Sequence, residues 1–212
     1  MMISTIIMTI LSLLFIILTY FGITRYLTLQ LQSSDTYIEN YHKLPKSDAK
    51  KVNIVIYSDS KNINRLKPMI NSILDQTIRV DRIFLVKTDI TSDKLPEYLK
   101  KIVTVLPAAK KYGGEFANSL IPMLLNEKNA DTTIVSLKNN MVYGKDFIET
   151  IINMSEKIPK TAILDNNNNA LVVKPNYYDP NIFDRNKDIY LDTWFIENIP
   201  SQYLKYSENY KY

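Results

Sequence analysis

The sequence predicts an α/β fold with a mainly parallel central sheet and flanking helices, preceded by one N-terminal transmembrane helix. Three observations lead there. Residues Ile3 to Ile23, ISTIIMTILSLLFIILTYFGI, contain no charged side chain. Beyond residue 50, short β-branched runs alternate with segments whose apolar residues recur at helical spacing, and such alternation implies βαβ crossovers. Hydrophobic residues make up 46% of the 212 positions and charged residues 23%, which supplies a core without suggesting disorder.

The first element reads as a retained membrane anchor, residues 1–24. At about 1.5 Å per residue, about 20 residues cross a hydrocarbon layer of roughly 30 Å. Tyr20 and Phe21 sit near one end, where aromatic rings favour the interface. A cleaved signal peptide is the rival reading. It calls for a basic leader, a shorter apolar core and a small-residue cleavage site, and none is evident. Arg25 follows the span closely, so the positive-inside tendency points the remainder toward the cytoplasm, with a lumenal placement left open. Asn153-Met154-Ser155 is a formal glycosylation sequon inside an expected helix. Residues 25–50 are polar, end in KLPKSDAKK, and read as a stalk. The lone His42, in NYHKLPK, reads as a solvated linker residue.

The globular part is expected over 51–212. VNIVIY (52–57) has the look of a buried strand, and SDSKNIN follows as a loop. In RLKPMINSILDQ, Leu66, Met69, Ile70, Ile73 and Leu74 recur at helical spacing, and Pro68 suits the first turn. DRIFLVK (81–87) is a second strand, SDKLPEYLKK a short helix, and IVTVL (102–106) a third strand. PAAKKYGG is a loop, EFANSLIPMLLNEK an amphipathic helix, and TTIVSL (132–137) a fourth strand. KDFIETIINMSEKI is a further helix, and TAIL and ALVVK flank DNNNN as a hairpin. DIYLDTWFIENI reads as a helix packed through Tyr190, Trp194, Phe195 and Ile199, and the tyrosine-rich tail as ending in a short strand.

Composition also excludes. With no cysteine, the chain has no disulfide, zinc–thiolate site or cysteine nucleophile. The net charge of +4 is mild and the lysines are scattered, so no nucleic-acid footprint is expected. Neither GxGxxG nor GxxxxGK[ST] occurs, which removes the dinucleotide fingerprint and the P-loop. A parallel sheet binds ligands at the carboxyl ends of its strands. That rule places Ser58-Asp59-Ser60, Lys87-Thr88, the 107–114 loop and Lys138-Asn139-Asn140 on one rim.

The order of segments resembles nucleotide-diphospho-sugar transferases of the GT-A fold, glycosyltransferase family 2-like. The opening VNIVIYSDSKNINRLKPMINSILDQTIRVDRIFLV carries the likeness in Ser60, Arg65, Ser72-Ile73-Leu74 and Gln76-Thr77. KKYGG followed by TTIVSLKNNMVYGKDFIETII resembles the family's middle, and DIYLDTWFIENIP its late helix. The likeness covers roughly residues 52–205 and rests on order and spacing.

The resemblance implies a nucleotide-sugar donor, an unknown acceptor, and a divalent cation, Mn²⁺ or Mg²⁺, held by an acidic triad. Here the triad positions are Lys138, Asn139 and Asn140. Hard cations want carboxylate oxygens, so metal ligands are missing and no cofactor is assigned. Lys111 and Ala117 also depart from the family pattern, and Lys187-Asp188 replaces an acidic pair. By resemblance Ser58, Asp59, Ser60, Arg65, Lys138, Asn139 and Asn140 would contact the nucleotide-sugar, and Asp188 would be the general base. Each has a plainer use: strand termination for Ser58 to Ser60, an exposed helix-start arginine for Arg65, a decayed turn for 138–140, an N-cap for Asp188. Trp194 is either a stacking platform or core. Three functions follow: a membrane-anchored sugar transferase with Lys138 standing in for the metal, a catalytically inactive binding or scaffolding protein of the same fold at a membrane, and an unrelated α/β interaction domain.

Overall fold

Among the described residues, seven strands make one mixed sheet in the order β3-β2-β1-β4-β6-β5-β7. The computed structural model describes residues 2–48, 51–88, 95–108, 111–158, 162–165, 168–178 and 204–207. The strands are β1 (Val52–Tyr57), β2 (Arg82–Lys87), β3 (Val103–Pro107), β4 (Thr133–Leu137), β5 (Ala162–Asp165), β6 (Ala170–Val173) and β7 (Leu204–Ser207). β3, β2, β1 and β4 run parallel, β6 pairs antiparallel with both β4 and β5, and β7 adds parallel to β5. This is the mainly parallel α/β sheet that the alternation predicts.

The helices are α1 (Met2–Tyr20), α2 (Ile23–Leu31), α3 (Ser34–Lys43), α4 (Lys67–Leu74), α5 (Glu97–Lys100), α6 (Glu115–Asn126) and α7 (Phe147–Lys157). They cover both faces of the sheet, which explains why β1 and β4 are buried along their whole length. Strand alternation sorts their side chains. Val52, Ile54 and Ile56 pack with Ile70, Ile73, Phe147 and Ile151 on one face. Val55 and Tyr57 pack with Phe116, Leu120 and Ile121 of α6 on the other. The hairpin between β5 and β6 closes through Asn168, whose φ of 54° is left-handed, a conformation asparagine tolerates.

The N-terminal part differs from the expected anchor and stalk in two ways. The apolar helix stops at Tyr20, because Gly22 takes a left-handed φ of 69° and its N–H donates back to the Thr19 carbonyl. The chain then bends by 82° into α2. No single helix among the described residues is long and apolar enough to cross a membrane; α1 and α2 pass by length and composition only as a bent pair. The stretch read as a polar stalk forms α2 and α3, both docked on the domain. Leu29, Tyr37, Ile38 and Tyr41 are buried against α4 and its neighbours, and the Tyr41 hydroxyl accepts the Val80 N–H at 3.0 Å. Ser33 caps α3 by accepting the Asp35 N–H at 3.3 Å. His42 lies exposed in the last turn of that helix.

Candidate ligand-binding cleft

β1 leads through α4 to β2 on one side of the sheet, whereas α6 brings the chain back to β4 on the other. The carboxyl ends of β1 and β4 therefore flank the topological switch point, where crossovers diverge and leave a crevice. A cleft of about 400 Å³ opens there. Asn62 and Arg65 line it from the β1 side, Asn139, Asn140, Met141 and Val142 from the β4 side, and Glu115 from the start of α6. Leu66, Pro68, Met69 and Tyr26 complete its wall. The size and the mixed lining suit a small polar ligand.

Asn139 holds the cleft's floor together. Its backbone N–H donates to Glu115 Oε1 at 2.7 Å, and its side-chain amide donates to the Tyr57 carbonyl at 2.8 Å. One residue thus ties the end of β4 to the end of β1 and to the first turn of α6. A carboxylate in that turn also suits the helix dipole.

The loop after β1 is built from its own side chains. Ser58 is fully buried; its N–H continues the ladder to the Val86 carbonyl at 3.2 Å, and its hydroxyl donates to the Asp59 carbonyl at 3.2 Å. Asp59 Oδ1 accepts the Asn62 N–H at 3.0 Å, a local turn typical of aspartate. Ser60 is exposed at the loop's tip. A short 3-10 turn, Ile63–Arg65, then presents Arg65 to the cleft.

Lys138 points elsewhere. Neighbouring residues at a strand end face opposite sides, and the Lys138 ammonium lies 5.5 Å from the centroid of the Phe116 ring. Its backbone anchors the turn: the N–H donates to the Asn169 carbonyl, and the Tyr143 hydroxyl donates to its carbonyl, both at 2.9 Å. Lys111 is exposed and Ala117 is buried in the α6 core. Asp188, Lys187 and Trp194 lie outside the described residues.

The structure thus gathers Arg65, Asn139 and Asn140 around one opening, leaves Ser58, Asp59 and Ser60 out of its lining, and turns Lys138 to the Phe116 side. No family model matches this chain, and no curated protein matches it. Among the described residues no three His, Asp or Glu side chains converge to hold a metal ion. Positions 138–140 do not fit a divalent cation: one side chain is an ammonium on an aromatic face, and the other two are neutral amides that bring no carboxylate.

Three polar lining residues, Glu115, Asn62 and Tyr26, were not among the candidates the sequence offers. Glu115 follows the expected loop directly and opens a helix, which was a usable signal. Asn62 sat inside the loop without a distinguishing pattern. Tyr26 had no signal, because its segment read as a stalk. A second concavity, about 430 Å³, lies at the amino ends of the strands beside Lys46, Arg79 and Lys101. Those cations are engaged: Lys46 with Asp81 at 3.5 Å, Lys101 with Asp35 at 2.5 Å, and Arg79 donating to the His42 carbonyl at 3.2 Å. The switch-point cleft is the better candidate, since it combines position with a cation turned toward the opening.

Proposed function

We propose that this chain is a membrane-anchored, GT-A-like protein whose switch-point cleft binds a nucleotide-sugar through its diphosphate. The observation that carries the reading is the meeting of Arg65 and Asn140 across one opening between β1 and β4. A guanidinium fork matches phosphate oxygens, and an amide donates to them without adding charge. Arg65 is then the cleft's phosphate ligand in place of Lys138. The apolar wall of Leu66, Met69 and Met141 accommodates the less polar part of the ligand.

Titration of the full-length protein with UDP- and GDP-sugars, in chelator and in Mn²⁺, tests the reading. Binding is expected in chelator, and Arg65→Ala is expected to weaken it by roughly tenfold to a hundredfold, the loss of one charged hydrogen-bonding contact. Absence of heat across the whole panel overturns it.

A catalytically inactive binding protein is the second reading, and a specific observation favours it. The side chains of Ser58, Asp59, Lys138 and Asn139 are committed to protein partners rather than turned to a substrate. Release of nucleoside diphosphate during incubation separates the two. Release that disappears in Asp188→Asn supports transfer, and binding without release supports the inactive form.

A further inference from the structure

The amino-terminal helix pair leaves one helical face bare. α2 is docked through Leu29, which is 1% exposed, through Arg25, and through the Asn71 amide, which donates to the Leu29 carbonyl at 2.7 Å. The Arg25 guanidinium pairs with Asp75 at 2.9 Å and donates to the Tyr143 carbonyl at 3.1 Å. The opposite face carries Ile23, Tyr26, Leu27 and Leu31, at spacings of three, four and eight from the first, and they are 41%, 48%, 45% and 78% exposed. That face contains no charged residue, since the single cation of α2 is turned inward to Asp75, and Gln30 is the one amide that interrupts it. An apolar stripe of this kind marks a contact surface.

We propose that this stripe rests on a lipid bilayer, with α2 lying in the boundary between headgroups and acyl chains. The proposal builds on the reading of α1 as an inserted helix. Three features select lipid as the occupant. The stripe is continuous with α1, whose Ile6, Ile7, Met8 and Ile16, spaced around the helix, are all exposed. The bend between the helices is 82°, so when α1 follows the bilayer normal, α2 runs nearly in its plane. Tyr20 and Phe21 meet edge to face at the junction, ring centroids 5.4 Å apart, and Tyr26 is exposed in the first turn of α2, the depth that aromatic rings favour. Interfacial helices bury an apolar face in this way. Because α2 is held to α4 by the buried Asn71–Leu29 bond and the half-buried Arg25–Asp75 pair, it acts as a bracket that sets the domain's orientation. Tyr26 belongs both to the stripe and to the wall of the switch-point cleft, so the cleft's mouth sits near headgroup depth.

The chain has no cysteine, so single labels are clean. Leu27→Cys, Leu31→Cys, Ile10→Cys and Glu39→Cys in the full chain are labelled with an environment-sensitive fluorophore in phosphatidylcholine–phosphatidylglycerol vesicles. Quenching by lipids spin-labelled near the headgroup is expected to be several-fold stronger at 27 and 31 than at 39, and position 10 is expected to respond to mid-chain quenchers. Quenching at 10 without quenching at 27 and 31 overturns the interfacial helix and leaves the anchor standing. No quenching at 10 overturns the anchor reading beneath it, and the proposal falls with it. Shielding at 27 and 31 that lipid quenchers do not reach, and that grows with protein-to-lipid ratio, assigns the stripe to a second copy and likewise overturns the proposal.

Discussion

The side-chain carbonyl of Gln76 accepts the backbone N–H of Ile148 at 2.9 Å. The same amide donates to the Ser72 carbonyl at 2.8 Å and to the Gly144 carbonyl at 2.6 Å. Gln76 is 2% exposed, and α7 has no side-chain cap of its own at Asp146. A residue 72 positions upstream therefore supplies a partner for one of the orphan donors of the α7 start, and it fixes the loop that begins at the cleft. Gln76→Ala leaves the Ile148 N–H and the Gly144 carbonyl without these partners. We expect a loss of about 2–4 kcal/mol, read from the midpoint of urea unfolding. Gln76→Glu keeps the acceptor but cannot donate when ionised, so we expect it to restore only part of that loss.

Restoring a carboxylate at the cleft carries its own cost. Asn139→Asp would face its carboxylate to the Tyr57 carbonyl, which now receives an amide N–H at 2.8 Å, and would stand near Glu115. The expected loss at neutral pH is about 1–3 kcal/mol. Both surroundings raise the pKa of the new acid in the folded state. The penalty is therefore complete above the raised folded-state pKa, shrinks as pH falls from there toward the unfolded value of about 3.9, and is gone below it, because the protonated acid can again donate to Tyr57. Unfolding midpoints at neutral and acid pH check the sign.

Arg25→Ala should release α2 while sparing the sheet. The Arg25–Asp75 pair is partly exposed, at 34% and 25%, so its contribution is about 1 kcal/mol. Hydrogen exchange should show faster exchange in α2 amides, with the amides of β1 and β4 unchanged. Equal acceleration everywhere would count against α2 as a separately docked bracket.

Two buried tyrosines, Tyr41 and Tyr178, and the half-buried Tyr98 set an alkaline limit. Burial pushes Tyr41 up to about 12 despite its bond from the Val80 N–H, and burial alone pushes Tyr98 up to about 12. Burial drives Tyr178 higher still. In the unfolded chain each ionises near about 10. Stability from these groups is therefore complete below pH about 10 and drains away as pH rises toward 12. Absorbance of tyrosinate near alkaline pH should rise in two stages, the second coinciding with loss of helical circular dichroism. A single early stage with the fold intact would contradict their burial.

Local periodicity carried most of the domain. VNIVIY, DRIFLVK and TTIVSL each form the expected strand, and RLKPMINSILDQ and KDFIETIINMSEKI the expected helices, because a strand or helix needs only its own side-chain spacing to be recognised. The segment from Arg25 to Lys43 was illegible for the complementary reason. Its few apolar residues become core only against partners far along the chain: Leu29 meets Asn71 across 42 positions, and Arg25 meets Asp75 across 50.

The same division runs through the site. Lys138, Asn139 and Asn140 stand side by side in sequence, and the rule that ligands gather at strand ends put all three on one rim. Alternation at the end of β4 sends the Lys138 ammonium to the Phe116 side, while Asn139 and Asn140 stay with Arg65. Residue types and short-range spacing belong to the sequence alone, and they determined the strands, the apolar amino terminus and the list of polar tips. Which of those tips meet was decided by strand order and side-chain direction, because both depend on contacts between residues that are distant along the chain.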